Sequence, residues 1–157
     1  MNAYSELYVN DIVETQGDMF LAIREELPNV DEKWFIERYM NSNIRRLLDH
    51  ANPKFAAMPA PELILYFIEE ECGNEYQKGD KWWGFLPQWV GLVYAFYQWK
   101  YNVPSARIIE LLPTSEMEVM FQTLHQAGIE TAVDKIHEVV LGKGACYRSI
   151  ITKILSD

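Results

Sequence analysis

Only two cysteines occur in the 157 residues, Cys72 and Cys146, and no CxxC spacing joins them. This excludes a disulfide framework and a cysteine-based zinc site, and the expectation is a reduced chain with two unpaired thiols. Basic charge is scarce as well. Lys and Arg number 14 against 23 Asp and Glu, for a formal net charge of -9. Nucleic-acid affinity depends on cations that displace counterions from phosphates, so a nucleic-acid partner is disfavoured. The opening MNAYSELYVNDIVETQGD lacks a basic lead and an apolar run, which gives no secretory or transit signal and points to the cytoplasm. Long hydrophobic runs are missing too. A spanning helix needs about 20 apolar residues. The widest candidate, Trp82 to Trp99, contains Gly84, Pro87, Gln88 and Gln98 and is bracketed by Lys81 and Lys100, so no membrane span is predicted. No glycine-rich phosphate loop, no HExxH pair and no nucleophile elbow is present, which leaves no catalytic residue, metal ligand or cofactor to assign.

What the chain does have is aromatic residues. WVGLVYAFYQW, Trp89 to Trp99, carries five aromatic rings and no charge. Read as a helix, it is apolar on every side, the mark of an element enclosed by other helices. The remaining sequence is helical in period. Tyr4, Leu7, Tyr8, Ile12, Met19, Phe20, Ile23 and Leu27 recur at three- and four-residue steps as one stripe of a long first helix, with Gly17 its weak point. Pro28 ends that helix and Asp31 caps the next, which Ser42 or Asn43 divides in two. Pro61 fits the first turn of a helix that runs to Cys72 and stops at Gly73, before an exposed loop over 73 to 81. Pro104 and Ser105 begin a short helix, and S-x-x-E at Ser115 and Glu118 has capping-box spacing ahead of another, which Gly128 closes. Gly142 and Gly144 mark the end of the helix after that. In the tail, Tyr147, Ile150, Ile151, Ile154 and Leu155 form an apolar face among Lys143, Arg148 and Lys153.

The predicted architecture is an all-α, single-domain helical bundle of about seven or eight helices around the central aromatic helix. Residues 1–142 form the domain. Residues 143–157 form an amphipathic extension that packs on the domain or on a partner, and a homodimer through this helix is one consequence. Charge is unevenly spread: residues 1 to 80 hold 16 acids and 7 bases, residues 81 to 157 hold 7 of each, so the whole excess, 7 − 16 = -9, lies in the first half. Such asymmetry either steers a basic partner or keeps the protein dissolved. Residues 103 to 126 have a helix-turn-helix outline, but the would-be reading helix starts Ser115-Glu116-Met117-Glu118, the wrong charge for phosphate or bases.

Three stretches carry a resemblance. NPKFAAMPAPEL (52 to 63), WVGLVYAFYQW (89 to 99) and MFQTLHQAGI (120 to 129) resemble landmarks of a family of small uncharacterised bacterial proteins, NPKYxxGMxGxEL, YWxGWxLAYYQW and MYxxxHExDI. The matching residues are Asn52, Pro53, Lys54, Met58, Glu62 and Leu63; Trp89, Gly91, Ala95, Tyr97, Gln98 and Trp99; Met120, His125 and Ile129. Leu92 stands where the second Trp is usual, Pro59 and Ala60 where Gly is usual, and Gln126 where Glu is usual. Members of this family resemble companions of ADP-ribosyltransferase-type toxin genes. The resemblance therefore implies a non-catalytic, antitoxin-like accessory that binds a protein partner, such as a toxin encoded nearby. The alternative is a small-molecule-binding protein or enzyme with a pocket beside the aromatic helix, in which the amide of Gln98 either serves a ligand or bonds a neighbouring helix end. Candidate binding residues are Trp89, Tyr94, Tyr97, Gln98, Trp99 and His125, with Asn52, Lys54 and Glu62 from the first landmark.

Overall fold

The aromatic stretch forms the middle of a 16-residue helix, Leu86–Tyr101, and the rest of the protein is wrapped around it. The computed structural model describes residues 1–73 and 75–156, and for 145–156 the helical backbone alone. Among these residues there are nine α-helices: α1 (Val9–Glu26), α2 (Glu32–Met40), α3 (Asn43–Leu48), α4 (Pro53–Ala56), α5 (Ala60–Phe67), α6 (Leu86–Tyr101), α7 (Ser105–Leu111), α8 (Thr114–Leu124) and α9 (Ile129–Ser156). No strand is formed among the described residues, and none of the helices is long and apolar enough to cross a membrane.

Local chemistry sets most boundaries. Asp31 accepts from the Trp34 amide at 3.0 Å and so caps α2, Ser42 caps α3 through the Arg45 amide at 3.0 Å, and Asn52 caps α4 through that of Lys54 at 3.0 Å. Helix α5 carries Pro61 in its first turn and continues as a π-type turn, Ile68–Cys72, up to Gly73. Three boundaries differ from expectation. Helix α1 starts at Val9, because Ser5 caps a separate 3-10 turn, Glu6–Tyr8, which leaves Leu7 and Tyr8 facing solvent. The S-x-x-E box does not start α8: Pro113 is the N-cap, and its extended ψ of 156° puts Thr114 in the first turn, ahead of Ser115. Helix α9 also runs straight through Gly142 and Gly144, since a helical glycine costs only about 1 kcal/mol against Ala and neither proline nor a left-handed residue stops the chain there. The side chains of Cys146, Tyr147, Ile150, Ile151, Ile154 and Leu155 lie outside the described residues.

Helices α1 and α6 form the most extensive helix pair. Gly17, expected to weaken α1, is what permits this contact. A Cβ on Gly91 would stand 2.7 Å from the Gln16 carbonyl oxygen and 2.9 Å from the Gly17 Cα, and one on Gly17 would meet Leu92 at 2.8 Å. The two backbones cross at the glycine pair, and the Gln16 amide donates to the Gly91 carbonyl across the crossing at 2.8 Å. Around this pair, the rings of Phe20, Phe35, Tyr39 and Phe67 meet at centroid distances of 5.2 to 6.4 Å. Val90, Val93, Tyr94 and Ala95 of α6 are fully buried.

One polar cluster interrupts the apolar core. Arg45 is completely buried, and its guanidinium lies 3.4 Å from Asp49, donates through Nε to the Ser105 hydroxyl at 2.9 Å and through Nη2 to the Gln98 carbonyl at 3.2 Å. Ser105 donates to Asp49 from both its amide (2.9 Å) and its hydroxyl (2.5 Å), and the Gln98 amide donates to the Asp49 backbone carbonyl at 3.1 Å. These bonds tie α3, α6 and the start of α7 together. They balance one buried charge with another, as burial of ions requires.

Candidate functional site

Helix α6 is enclosed on every side but one. Lys100 and Tyr101 are half-exposed at its C-terminal end, and Gln88, Leu92 and Phe96, four residues apart, form a half-exposed stripe that Phe85, the N-cap residue, continues at 70% exposure. This stripe is the floor of a trough. At one end Trp83, Phe85, Trp89, Leu92, Phe121, His125 and Ile129 surround a volume of about 920 Å³. Through Leu92 and Ile129 it joins a second depression walled by Val13, Glu14, Phe96 and Glu130, and through Gly84 and Phe85 a third walled by Asp18, Leu21 and Glu25. From Phe85 to Phe96 the floor spans roughly 16 Å, about three helical turns.

Three elements build it. Helix α1 supplies one wall; the hairpin formed by α8, the turn at 125–128 and the start of α9 supplies the other. The segment 75–85 supplies the rim. It is held by Asp31 and Glu32, whose amides donate to the carbonyls of Gln77 (2.8 Å) and Asp80 (3.0 Å), by Lys81, which donates to the Val30 carbonyl, and by the Trp82 indole, which donates to Glu118. Arg24 donates to the carbonyls of Trp82 (3.2 Å) and Gly84 (2.7 Å), so the exposed Trp83 (77%) is anchored on both sides.

Ring geometry stiffens the wide end. Phe121 meets Trp89 edge-on at 5.4 Å and lies against the His125 ring at 4.6 Å, 25° from parallel. His125 Nδ1 sits 2.6 Å from the Phe121 carbonyl oxygen; this contact requires a proton on Nδ1 and leaves Nε2 clear of that bond. The Trp89 indole N–H is buried without a partner among the described residues. Exposed acids edge the trough at Glu14, Asp18, Glu25 and Glu130, and the single basic residue among the lining groups is Arg24, already engaged with backbone carbonyls. The site is thus an apolar floor within an acidic frame.

Of the residues singled out from sequence, the structure brings Trp89 and His125 together in this trough. Tyr94, Tyr97, Gln98 and Trp99 are spread through the core. The Tyr94 hydroxyl donates to the Leu112 carbonyl at 2.5 Å, Tyr97 pairs with His137 Nδ1 at 2.8 Å, and the Trp99 indole donates to the Tyr4 carbonyl at 2.8 Å. Burial pushes the Tyr97 phenol up to about 12 and that of Tyr94 higher still, so both stay protonated hydrogen-bonding groups. Gln98 bonds the C-terminal end of α3 in the polar cluster. Asn52 is a helix cap, Lys54 donates to the Tyr66 hydroxyl at 2.9 Å with its ammonium 4.7 Å from that ring, and Glu62 is exposed on the first turn of α5. Glu71 accepts the amides of Asn43 (2.8 Å) and Ile44 (3.0 Å) at the start of α3, while Glu69 and Glu70 face solvent.

Chemistry at the other polar centre is closed off. Ser105 is fully buried with its hydroxyl engaged by Arg45 and Asp49, and the cavity next to Arg45, Tyr39 and Gln16 measures about 10 Å³, the room of about one water. No substrate fits there. Among the described residues, no three His, Cys, Asp or Glu side chains gather closely enough to hold a metal ion. Trp83, Phe85, Leu92, Phe96 and Phe121 line the trough but are not among the candidate binding residues. The steps 85, 88, 92 and 96 do form a helical stripe, but only the placement of α1 and α9 distinguishes it from the faces that are covered. Comparison with protein-family models, with curated proteins and with solved structures gives no match to the chain.

Proposed function

We propose that the protein is a non-catalytic binding protein and that the trough along α6 receives an apolar segment of a protein partner. A bacterial toxin-related system is the setting that the three landmark stretches imply. The observation that carries the reading is the trough itself: a three-turn, largely apolar floor that begins at Phe85, with Trp83 held out at its rim, set in acids. Helix-in-groove recognition uses this form, with side chains at i, i+3 or i+4 and i+7 of the partner as anchors. Aromatic residues at such positions dominate binding energy because they bury large areas at little entropic cost. The acidic frame selects a partner with Lys or Arg beside its apolar face and speeds its encounter.

The test is affinity capture from the native host with the wild-type chain and with Phe85→Glu as bait. Phe85 is 70% exposed, so its substitution leaves the core intact. A partner retained by the wild type and lost by Phe85→Glu supports the reading, and a partner held equally by both rejects it. A second reading is favoured by the wide end alone, where about 920 Å³ beside Trp89, Phe121 and His125 falls within the range of small-molecule sites. In that case a small apolar compound raises the melting temperature of the isolated protein, since a ligand that prefers the native state stabilises it.

A further inference from the structure

The trough's acidic frame has a counterpart in the chain's own sequence. Residues 144–156 read GACYRSIITKILS, with apolar residues at 147, 150, 151, 154 and 155, bases at Arg148 and Lys153, and no acid. Their spacing puts the apolar set on one stripe of a helix, and the backbone of α9 is helical through Ser156.

Helix α9 outlasts its hairpin partner. Lys143 donates to the Leu111 carbonyl at 2.7 Å and to Glu116 at 2.5 Å, which fixes this point of α9 beside the first turn of α8. Thirteen residues of helix follow, roughly 20 Å of it. They cannot fold back into the trough of their own molecule. Helix α9 begins at the trough's edge, where Ile129, Glu130 and Thr131 line it, and along a continuous helix Ile150 stands roughly 31 Å from Ile129. An occupant with this chemistry must come from another molecule.

We propose that residues 144–156 of one copy dock in the α6 trough of a second copy, the apolar stripe on Leu92, Phe96 and Phe85 and the two bases toward Glu14, Asp18, Glu25 and Glu130. This rests on the trough being a binding site and names an occupant for it. Two copies offer two tails and two troughs, so a twofold, reciprocal pairing satisfies both and closes the assembly. Opposite charges bring tail and trough together, and the apolar contact holds them, so the pairing weakens as salt screens the frame.

The experiment is light scattering of the full chain across a concentration series at low and moderate salt, with four variants. The wild type is expected as a dimer, and Phe85→Glu and Ile150→Glu as monomers. Glu14→Lys combined with Asp18→Lys should raise the dimer dissociation constant by about tenfold or more. Adding Arg148→Glu and Lys153→Glu to that same chain should restore the dimer, a rescue that a folding defect cannot produce. A wild type that stays monomeric throughout, or a dimer indifferent to both Phe85→Glu and the charge reversals, overturns the proposal. The two readings fail separately. If the chain is monomeric while Phe85→Glu still abolishes capture of a host protein, the second-copy occupant is wrong and the trough stands; if capture is also unaffected, the trough reading falls.

Discussion

Replacing Gly91 with Ala tests the crossing on which both the fold and the trough depend. In an open helix this change stabilises by about 1 kcal/mol, because glycine surrenders more backbone freedom on folding. Here the new Cβ would be 2.7 Å from the Gln16 carbonyl oxygen, 3.0 Å from its carbon and 2.9 Å from the Gly17 Cα. All three are backbone atoms of α1, so no side chain can swing aside and the helices must part by several tenths of an ångström. Overpacking of this kind costs about 1–3 kcal/mol. Separation also stretches the 2.8 Å bond from the Gln16 amide to the Gly91 carbonyl, worth about 1 kcal/mol and buried. The helix-propensity gain offsets about one of these, leaving a net loss of about 1–3 kcal/mol. For a chain of this size that lowers Tm by roughly 3–10 °C in differential scanning calorimetry. Gly142→Ala is the control, since its Cβ meets nothing within 4 Å and only the propensity gain applies, so Tm should rise by roughly 1–4 °C. A Gly91→Ala protein as stable as Gly142→Ala would refute the close crossing.

Two further perturbations probe the interior. Asp49→Ala strands the fully buried guanidinium of Arg45 and removes the acceptor of both Ser105 donors, so it should cost about 3–5 kcal/mol in urea unfolding, and a loss under 1 kcal/mol contradicts the cluster as described. Glu32, 1% exposed, has its carboxyl pushed up from 4.5 to about 7 mainly by burial, with Arg24 and Lys81 pulling the other way. The folded state therefore holds a proton that the unfolded chain releases between pH 4.5 and 7, and stability falls as pH rises through that window, by about 3 kcal/mol at most. Glu32→Gln should remove most of this slope and be the more stable protein at pH 8; an unchanged slope would place the titration elsewhere.

Much of the fold was legible because its signals are local. Eleven uncharged residues with five rings have no stable place except inside other helices, and Asp31, Ser42 and Asn52 cap helices through amides two or three residues away. Pairings across the chain left no such trace. Arg45 and Asp49 have only the i,i+4 spacing of many surface pairs, and it is Ser105 and Gln98, about 50 residues on, that close over them. Gly17 looked like a flaw in α1 because its use depends on Gly91, a partner 74 positions later. The candidate site was half legible for the same reason. Trp89 and His125 stood out by type, whereas Trp83 and Phe85 acquire meaning only when the strap to Asp31 and Glu32 holds them at the trough's rim.

The most direct test of the tail-in-trough pairing is the set of indole N–H resonances in a two-dimensional nitrogen–proton spectrum, recorded while a synthetic peptide of residues 143–157 is titrated into the monomeric Ile150→Glu chain, whose trough is free. Trp83 and Trp89 lie in the trough, whereas Trp34 lines a separate depression with Arg38 and Glu71. The account predicts saturable shifts at Trp83 and Trp89 with Trp34 still. Movement of Trp34 with Trp83 and Trp89 unchanged, or no movement at any indole at millimolar peptide, would contradict it.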